Sequence, residues 1–350
     1  MRALYIGSQN PNSCALMYAE ALKELGMEVT VFDPNYFDTD SFYKKVHLKL
    51  MKAPASSSIL RADQKLLQLA KTSSFDLVLV IAENFLSQET LQEFRSLQSK
   101  TQPLILYHSH DNNFSKGILK PENFWNTLAS YDSVFTTKSQ NVSKYRALGQ
   151  KNSTYLPSAF DPKVHRPVPD SESRFKQNAF NLSFIGTYDK SRDPVFDTLD
   201  WENLKIWGNN WDRSRHFDSH KEKITPHAIY GHEYADVTSH SKISLGLLRT
   251  EAEDRHTQRT FEIPACGSLQ IAPRNEEILS YFEEDKEIVC FDSLEELNEK
   301  IAFYLKNASA REKIAVAGFK RVKESGHTYF DRVQQMLDTV GISAKIRQRG

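Results

Sequence analysis

Cysteine is scarce in this chain of 350 residues: Cys14, Cys266 and Cys290 are odd in number and far apart. Neither a disulfide framework nor a CxxC metal-type pairing can be built from them, and a reducing compartment fits. Long apolar runs are missing too. Leu77 to Ala82 and Pro103 to Tyr107 have strand length, against the roughly 20 residues a spanning helix needs. The opening Met1-Arg-Ala-Leu-Tyr-Ile-Gly7 reads as a strand without the charged head, apolar stretch and cleavage site of a secretory signal, so the expected setting is cytoplasmic. The 13 glycines never fall two or three residues apart, which removes the GxGxxG dinucleotide fingerprint and the GxxxxGK[ST] phosphate loop. HExxH and GxSxG are absent as well, and with them the commonest zinc-hydrolase and serine-hydrolase arrangements. Net charge is the last absence. With 45 Lys and Arg against 45 Asp and Glu, no overall field draws in nucleic acid.

What is present is a globular composition, 39% hydrophobic and 26% charged, at a length suited to two α/β domains. Arg2 to Ile6 reads as a strand closed by Gly7. A polar Ser8–Ser13 loop follows, then Ala15, Leu16, Ala19, Leu22 and Leu25 at helical spacing, stopped by Gly26. The alternation continues through strands at 28–32, 76–81, 103–107 and 133–136 and helices at 60–69, 87–97 and 140–148. Strands alternating with helices predict a mostly parallel, doubly wound sheet. Four prolines between Pro157 and Pro169 break the pattern, and it restarts at Asn181–Ile185, again closed by a glycine, Gly186. The expected organisation is a first Rossmann-like domain over 1–156, a linker at 157–169 and a second Rossmann-like domain over 170–326. A last helix at 327–341 completes the first domain, and the 344–350 tail is frayed.

Charge is divided mildly, with 19 basic and 15 acidic side chains in residues 1–167 and 26 and 30 in residues 168–350. Lys300 to Arg332 is mostly basic. A solvated helix face is the favoured reading there, with peripheral membrane contact as the alternative. The Asp38-Thr39-Asp40 triplet reads as a loop or helix cap in preference to a metal site.

The informative segment runs from Asp254 to Pro273. Arg259 and Glu262 sit one turn apart on an expected helix, followed by a small-residue turn at Gly267-Ser268 and an apolar strand. A surface ion pair would explain two charges at this spacing. Phe261, Ile263 and Ala265 instead make the helix largely buried, and Gly267 permits close backbone approach by a ligand. Buried charges where strand meets helix point to a binding site. In the first half, His108-Ser-His110-Asp111 follows a strand at its carboxyl end, where α/β ligands bind, and an imidazole with a carboxylate can take a proton from a hydroxyl.

The stretch Arg259-Thr-Phe-Glu262-Ile-Pro-Ala-Cys266-Gly267-Ser268 resembles the R-x-F-E-x-x-A-C-G-x core of the CgeB-like (spore-maturation) glycosyltransferases, which are related to glycosyltransferase family 4. Phe184-Ile-Gly186, Ile206-Trp207-Gly208, Tyr234-Ala235 and His327-Thr-Tyr-Phe-Asp-Arg332 extend the likeness across residues 180–338. The resemblance implies the GT-B architecture: two facing Rossmann-like, doubly wound domains, an inter-domain cleft and a C-terminal crossover helix. It implies transfer of a sugar from a nucleoside-diphosphate donor to a hydroxyl acceptor, a glycan or surface-polymer precursor being one acceptor class. No cofactor or bound metal is expected. The alternative is a non-catalytic GT-B-derived protein that binds a nucleotide sugar.

Carried over by position, Glu262 matches the ribose-contacting acid of the family's E-x7-E motif. Asp254 falls where its first glutamate stands, a sugar-contact role on a shorter side chain. Arg259 is expected at the diphosphate, since a guanidinium pairs bidentately with phosphate oxygens. Gly186 and Arg192 would flank the phosphates, with Lys190 as a further candidate, and Gly208, Gly267 and Ser268 would shape the donor pocket. His110 and Asp111 are the candidate base pair toward the acceptor, with Gly7 and His108 lining the first domain's side of the cleft.

Overall fold

The computed structural model describes residues 1–34, 56–81, 86–98, 102–109, 114, 122–176, 178–250 and 252–342. The Asp38-Asp40 triplet, His110, Asp111 and the 344–350 tail therefore lie outside the described residues. The chain forms two compact units, Met1–Pro157 with Tyr329–Gly350 and Ser158–Thr328.

Unit 1 alternates β1 (Arg2–Ile6), α1 (Cys14–Glu24), β2 (Glu28–Phe32), α2 (Ser56–Thr72), β3 (Leu77–Ile81), α3 (Gln88–Leu97), β4 (Leu104–Ser109), α4 (Glu122–Thr127), β5 (Ser133–Thr136), α5 (Asn141–Ala147) and β6 (Ser153–Tyr155). The strands make one parallel sheet in the order β2-β1-β3-β4-β5-β6. β3 reads Leu-Val-Leu-Val-Ile and is buried throughout, as a central parallel strand covered on both faces must be. α1 begins where the Ser13 hydroxyl accepts the Ala15 N–H at 3.2 Å, and its chain turns off at Gly26, whose φ of +79° suits a residue without a side chain.

Unit 2 alternates β7 (Phe180–Ile185), α6 (Asp193–Thr198), β8 (Leu204–Trp207), β9 (Ile224–Thr225), α7 (Gly231–Ser239), β10 (Ser241–Leu245), α8 (Arg259–Ala265), β11 (Leu269–Pro273), α9 (Glu276–Tyr281), β12 (Val289–Phe291), α10 (Leu294–Lys306) and α11 (Ala308–Glu324). Its parallel sheet runs β12-β11-β10-β7-β8-β9. The period of two sorts each strand onto two faces. Leu182, Phe184, Ile243, Leu245, Leu269 and Ile271 enter one apolar core. On the other face, Ser183 pairs in register with Ser244, and Ser244 with Gln270.

The proline-rich stretch is no loose tether beyond Ser158. Phe160 is fully buried against Phe261, Ala265 and Val322, and its N–H bonds the His327 carbonyl at 3.1 Å. The last helix, α12 (Tyr329–Thr339), belongs to unit 1. Tyr329 meets Tyr18 of α1 edge-on with ring centroids 5.1 Å apart, and the buried Arg332 donates from Nε to the Pro157 carbonyl at 2.8 Å. Two strands were not foreseen in the sequence, β6 and β9. At three and two residues on the sheet edges, neither is long enough to show a period.

Candidate functional site

In unit 2 the strand order reverses between β7 and β10, one going on to β8 and the other to β11. Open α/β sheets bind ligands beyond the carboxyl ends of the strands at such a point. Gly186 follows β7 there, and Gly246 follows β10. From this edge rise the loop 186–192, the residues 246–250 and 252–254 and the first residues of α8.

Arg259 is held from three sides. Its Nε donates to the Ile185 carbonyl at 3.2 Å, its Nη1 pairs with Glu262 Oε2, and its guanidinium carbon lies 4.1 Å over the ring centroid of Tyr234. Nη2 makes no hydrogen bond to any described residue, and about a third of the side chain, 31%, reaches solvent. Burial pulls its pKa down, but Tyr234 and Glu262 outweigh that and hold it above the usual value, so the cation is permanent. Glu262 is buried. Its second oxygen faces His165 Nε2 at 3.5 Å. His165 Nδ1 accepts the Asp161 N–H at 3.0 Å, which puts the proton of the neutral ring on Nε2, toward Glu262. Burial lowers the His165 pKa, against the opposing pull of Glu262.

Arg192 is also at this edge, but differently employed. Its Nη1, Nε and Nη2 donate to the carbonyls of Thr187, Leu248 and Leu247 at 3.1, 3.4 and 3.5 Å. It is buried, lies over Phe184, and burial brings its pKa down to about 10. Arg192 thus staples the loop after β7 to the turn after β10, with each of its three nitrogens donating to a protein carbonyl. Asp189 stays ionised beside it: burial pushes its pKa up, and bonds from Ser191 outweigh that.

A Cβ on Gly208 would sit 1.9 Å from the Gly186 carbonyl oxygen, so this glycine exists to let the β7 and β8 ends touch. Gly186 itself accepts a bond from Trp211 Nε1 at 2.8 Å. Gly267, at φ +83°, turns the chain at the end of α8 toward β11. The Ser268 hydroxyl is buried in a chain of bonds, 2.9 Å to Ser244 Oγ, which is 2.9 Å from Ser183 Oγ, and 2.9 Å to the Ser241 carbonyl. The Ser268 side chain is thus bonded within the sheet.

Asp254 is engaged within its own turn. Its Oδ2 accepts from Arg249 Nε at 2.9 Å, while its backbone N–H donates to the Arg249 carbonyl at 3.2 Å. Arg249, Tyr234, His165 and Gln270 also gather here, and sequence reasoning missed them. Arg249 stands outside the motif, and Tyr234 enters the likeness only through Tyr234-Ala235. Gln270 Oε1 is buried with no hydrogen-bond partner among the described residues, and a Cβ on Gly246 would strike its amide nitrogen at 2.3 Å.

In unit 1 the reversal lies between β1 and β3, with Gly7 at the carboxyl end of β1. A Cβ there would meet the Tyr5 hydroxyl at 2.6 Å. His108 is wholly buried, 3.2 Å from the Tyr18 hydroxyl, so it belongs to the packing under α1 and lines no surface.

Residues 192–338 match the family model described as glycosyl transferase-like. No curated protein matches the chain in sequence. Solved structures match it over nearly its whole length. Sucrose-phosphate synthase from Thermosynechococcus elongatus has a TM-score of 0.66 at 14% identity, covering 100% of both chains. A glycosyltransferase from Rickettsia africae gives 0.64 at 13%, covering 100% of this chain and 99% of that one. Anabaena HepE, solved with UDP and with UDP-glucose, gives 0.60 and 0.61 at 14%, covering 97% and 99%. At such identities the likeness shows the fold: it is GT-B, two Rossmann-like domains in one chain.

Proposed function

We propose that the protein is a glycosyltransferase that takes its sugar from a nucleoside-diphosphate donor and passes it to a hydroxyl acceptor, without a metal in the chemistry. The observation that carries this is Arg259. It is a fixed, permanently charged guanidinium at the switch point of unit 2, with one amino group left over by its protein partners and a buried carboxylate beside it. Nη2 would meet a phosphate oxygen and neutralise the leaving diphosphate. Glu262, oriented by Arg259, would take the ribose hydroxyls. The family match over 192–338 and the UDP-bound state of HepE support this reading. In unit 1, His110 and Asp111 are proposed to deprotonate the acceptor.

The reading is tested by incubation with a panel of UDP-, GDP-, dTDP- and ADP-sugars. Donor hydrolysis or transfer with one of them is expected. No turnover with any, together with no thermal shift from the four diphosphates, overturns it. One observation favours the second reading, a nucleotide-sugar-binding protein without turnover: the acid at position 254 is turned to Arg249. Tight donor binding with neither transfer nor hydrolysis would establish that alternative.

A further inference from the structure

Arg249 and Asp254 form a reciprocal clamp. The Asp254 N–H closes on the Arg249 carbonyl at 3.2 Å, and Arg249 Nε returns a bond of 2.9 Å to Asp254 Oδ2. Glu253, between them, adopts φ +53°, a left-handed conformation uncommon for a residue with a side chain. The two partners are unequally placed. The Asp254 side chain is 5% exposed and that of Arg249 39%, so the carboxylate is the buried anchor and the guanidinium the part that reaches out. Only Nε is taken, and Nη1 and Nη2 bond to no described residue.

The surroundings say what that outward edge would meet. Arg249 and Arg192 lie close enough for each to oppose the other's charge, Asp189 and Asp254 being the nearby anions. Among the described residues no carboxylate contacts Arg192; it is bound to three carbonyls. An anion arriving beyond β7 and β10 would therefore relieve two arginines together. A diphosphate fits this, since one oxygen-rich group can accept from paired Nη donors.

We infer that Asp254 is a positioning residue: it holds Arg249 by Nε so that the two Nη groups face the diphosphate of the donor, and it does not contact the transferred sugar. The inference rests on the donor reading above and changes the part given to this acid. Asp254 is one methylene shorter than glutamate, and its carboxylate points along the turn to a cation five residues back.

The experiment measures calorimetric affinity for the diphosphate that the wild-type protein binds among UDP, GDP, dTDP and ADP, for its sugar conjugate and for its nucleoside. If Asp254 positions Arg249, Asp254→Ala weakens the diphosphate and the conjugate by the same factor, about tenfold for lost charged hydrogen bonds, and leaves the nucleoside unchanged. Arg249→Ala does the same, and the double variant is no worse than either single one. Asp254→Asn, which keeps an acceptor oxygen and the volume, recovers part of the loss and serves where the alanine variant folds poorly. Loss confined to the sugar conjugate, or full diphosphate affinity in both Asp254 variants, overturns the inference. A wild-type protein that binds none of the four diphosphates instead overturns the donor reading itself.

Discussion

Two charged side chains at the same sheet edge do different work because their partners differ. Arg192 has every nitrogen on a backbone carbonyl, whereas Arg259 keeps Nη2 out of the protein's own bonds. Arg259→Ala is therefore expected to weaken nucleoside-diphosphate binding roughly tenfold to a hundredfold, read by calorimetry, and also to lower the melting temperature, because the buried Glu262 loses its cation. Gly208→Ala acts on the fold alone. Its methyl would overlap the Gly186 carbonyl oxygen at 1.9 Å, and overpacking against backbone costs about 1–3 kcal/mol or more. A clear fall in melting temperature is expected, and an unchanged one would show that the β7 and β8 ends can part freely.

His165 gives a pH dependence with a definite sign. Burial sets its folded pKa below the ordinary 6.5. As pH falls below that value the unfolded chain takes up the proton first, so this residue's contribution is intact above pH 6.5 and is lost as pH drops through the lowered pKa. Protonation would also put a hydrogen on Nδ1, against the Asp161 N–H it now accepts. Comparing denaturation of the wild type and His165→Gln between pH 7 and pH 5 should show a shallower acid loss in the variant. Parallel curves would remove His165 as the titrating group.

The elements themselves follow from short-range chemistry. Ser13, Ser87, Asn275 and Ser293 each accept backbone N–H groups at the start of a helix, and Gly26 and Gly267 turn the chain beyond helix ends. One polar position inside a helix goes against its surroundings. Asp63 on α2 is half-buried; burial raises its pKa to about 6 from 3.8, countered in part by a hydrogen bond with Thr90 of α3. Its Oδ1 finds no hydrogen-bond partner among the described residues. The folded state binds this proton more readily than the unfolded one, so stability from this group is present near pH 4 and lost as pH rises through 6. Asp63→Asn is expected to raise the melting temperature at pH 7 and to flatten its rise between pH 6 and pH 4. A lower melting temperature at pH 7 would mean the carboxylate has a partner that its burial does not suggest.

For the molecule as a whole, α12 is the piece whose place in the fold contradicts its place in the chain. It follows unit 2 in sequence but packs on α1, through Tyr329 on Tyr18 and Arg332 on the Pro157 carbonyl. Ending the chain after Thr328 exposes that face of α1. Calorimetry should show unit 1 losing stability by several kcal/mol, the cost of uncovering buried side chains at about 1.5–3 kcal/mol each, while unit 2, residues 158–328, keeps its own transition. A single unchanged transition would show that α12 is dispensable.

The βα alternation, the helix ends, the restart at Asn181 and the Arg259-Glu262 cluster were all legible in the chain, because each depends on residues within a few positions of one another. The fates of single site residues were not. The Ser268 hydroxyl is bonded to Ser244, itself bonded to Ser183, and both arrive from other strands. The space beside Gly208 is filled by the Gly186 carbonyl. His108 looked like a lining residue until Tyr18 closed over it. Periodicity and capping are local, so sequence alone settled the longer strands and helices and where the charge-bearing helix begins, while the short edge strands β6 and β9 escaped it. Which donors remain for a ligand depends on partners 20 to 90 residues away, and the order of the strands, which only the folded sheet establishes, decides which of them meet.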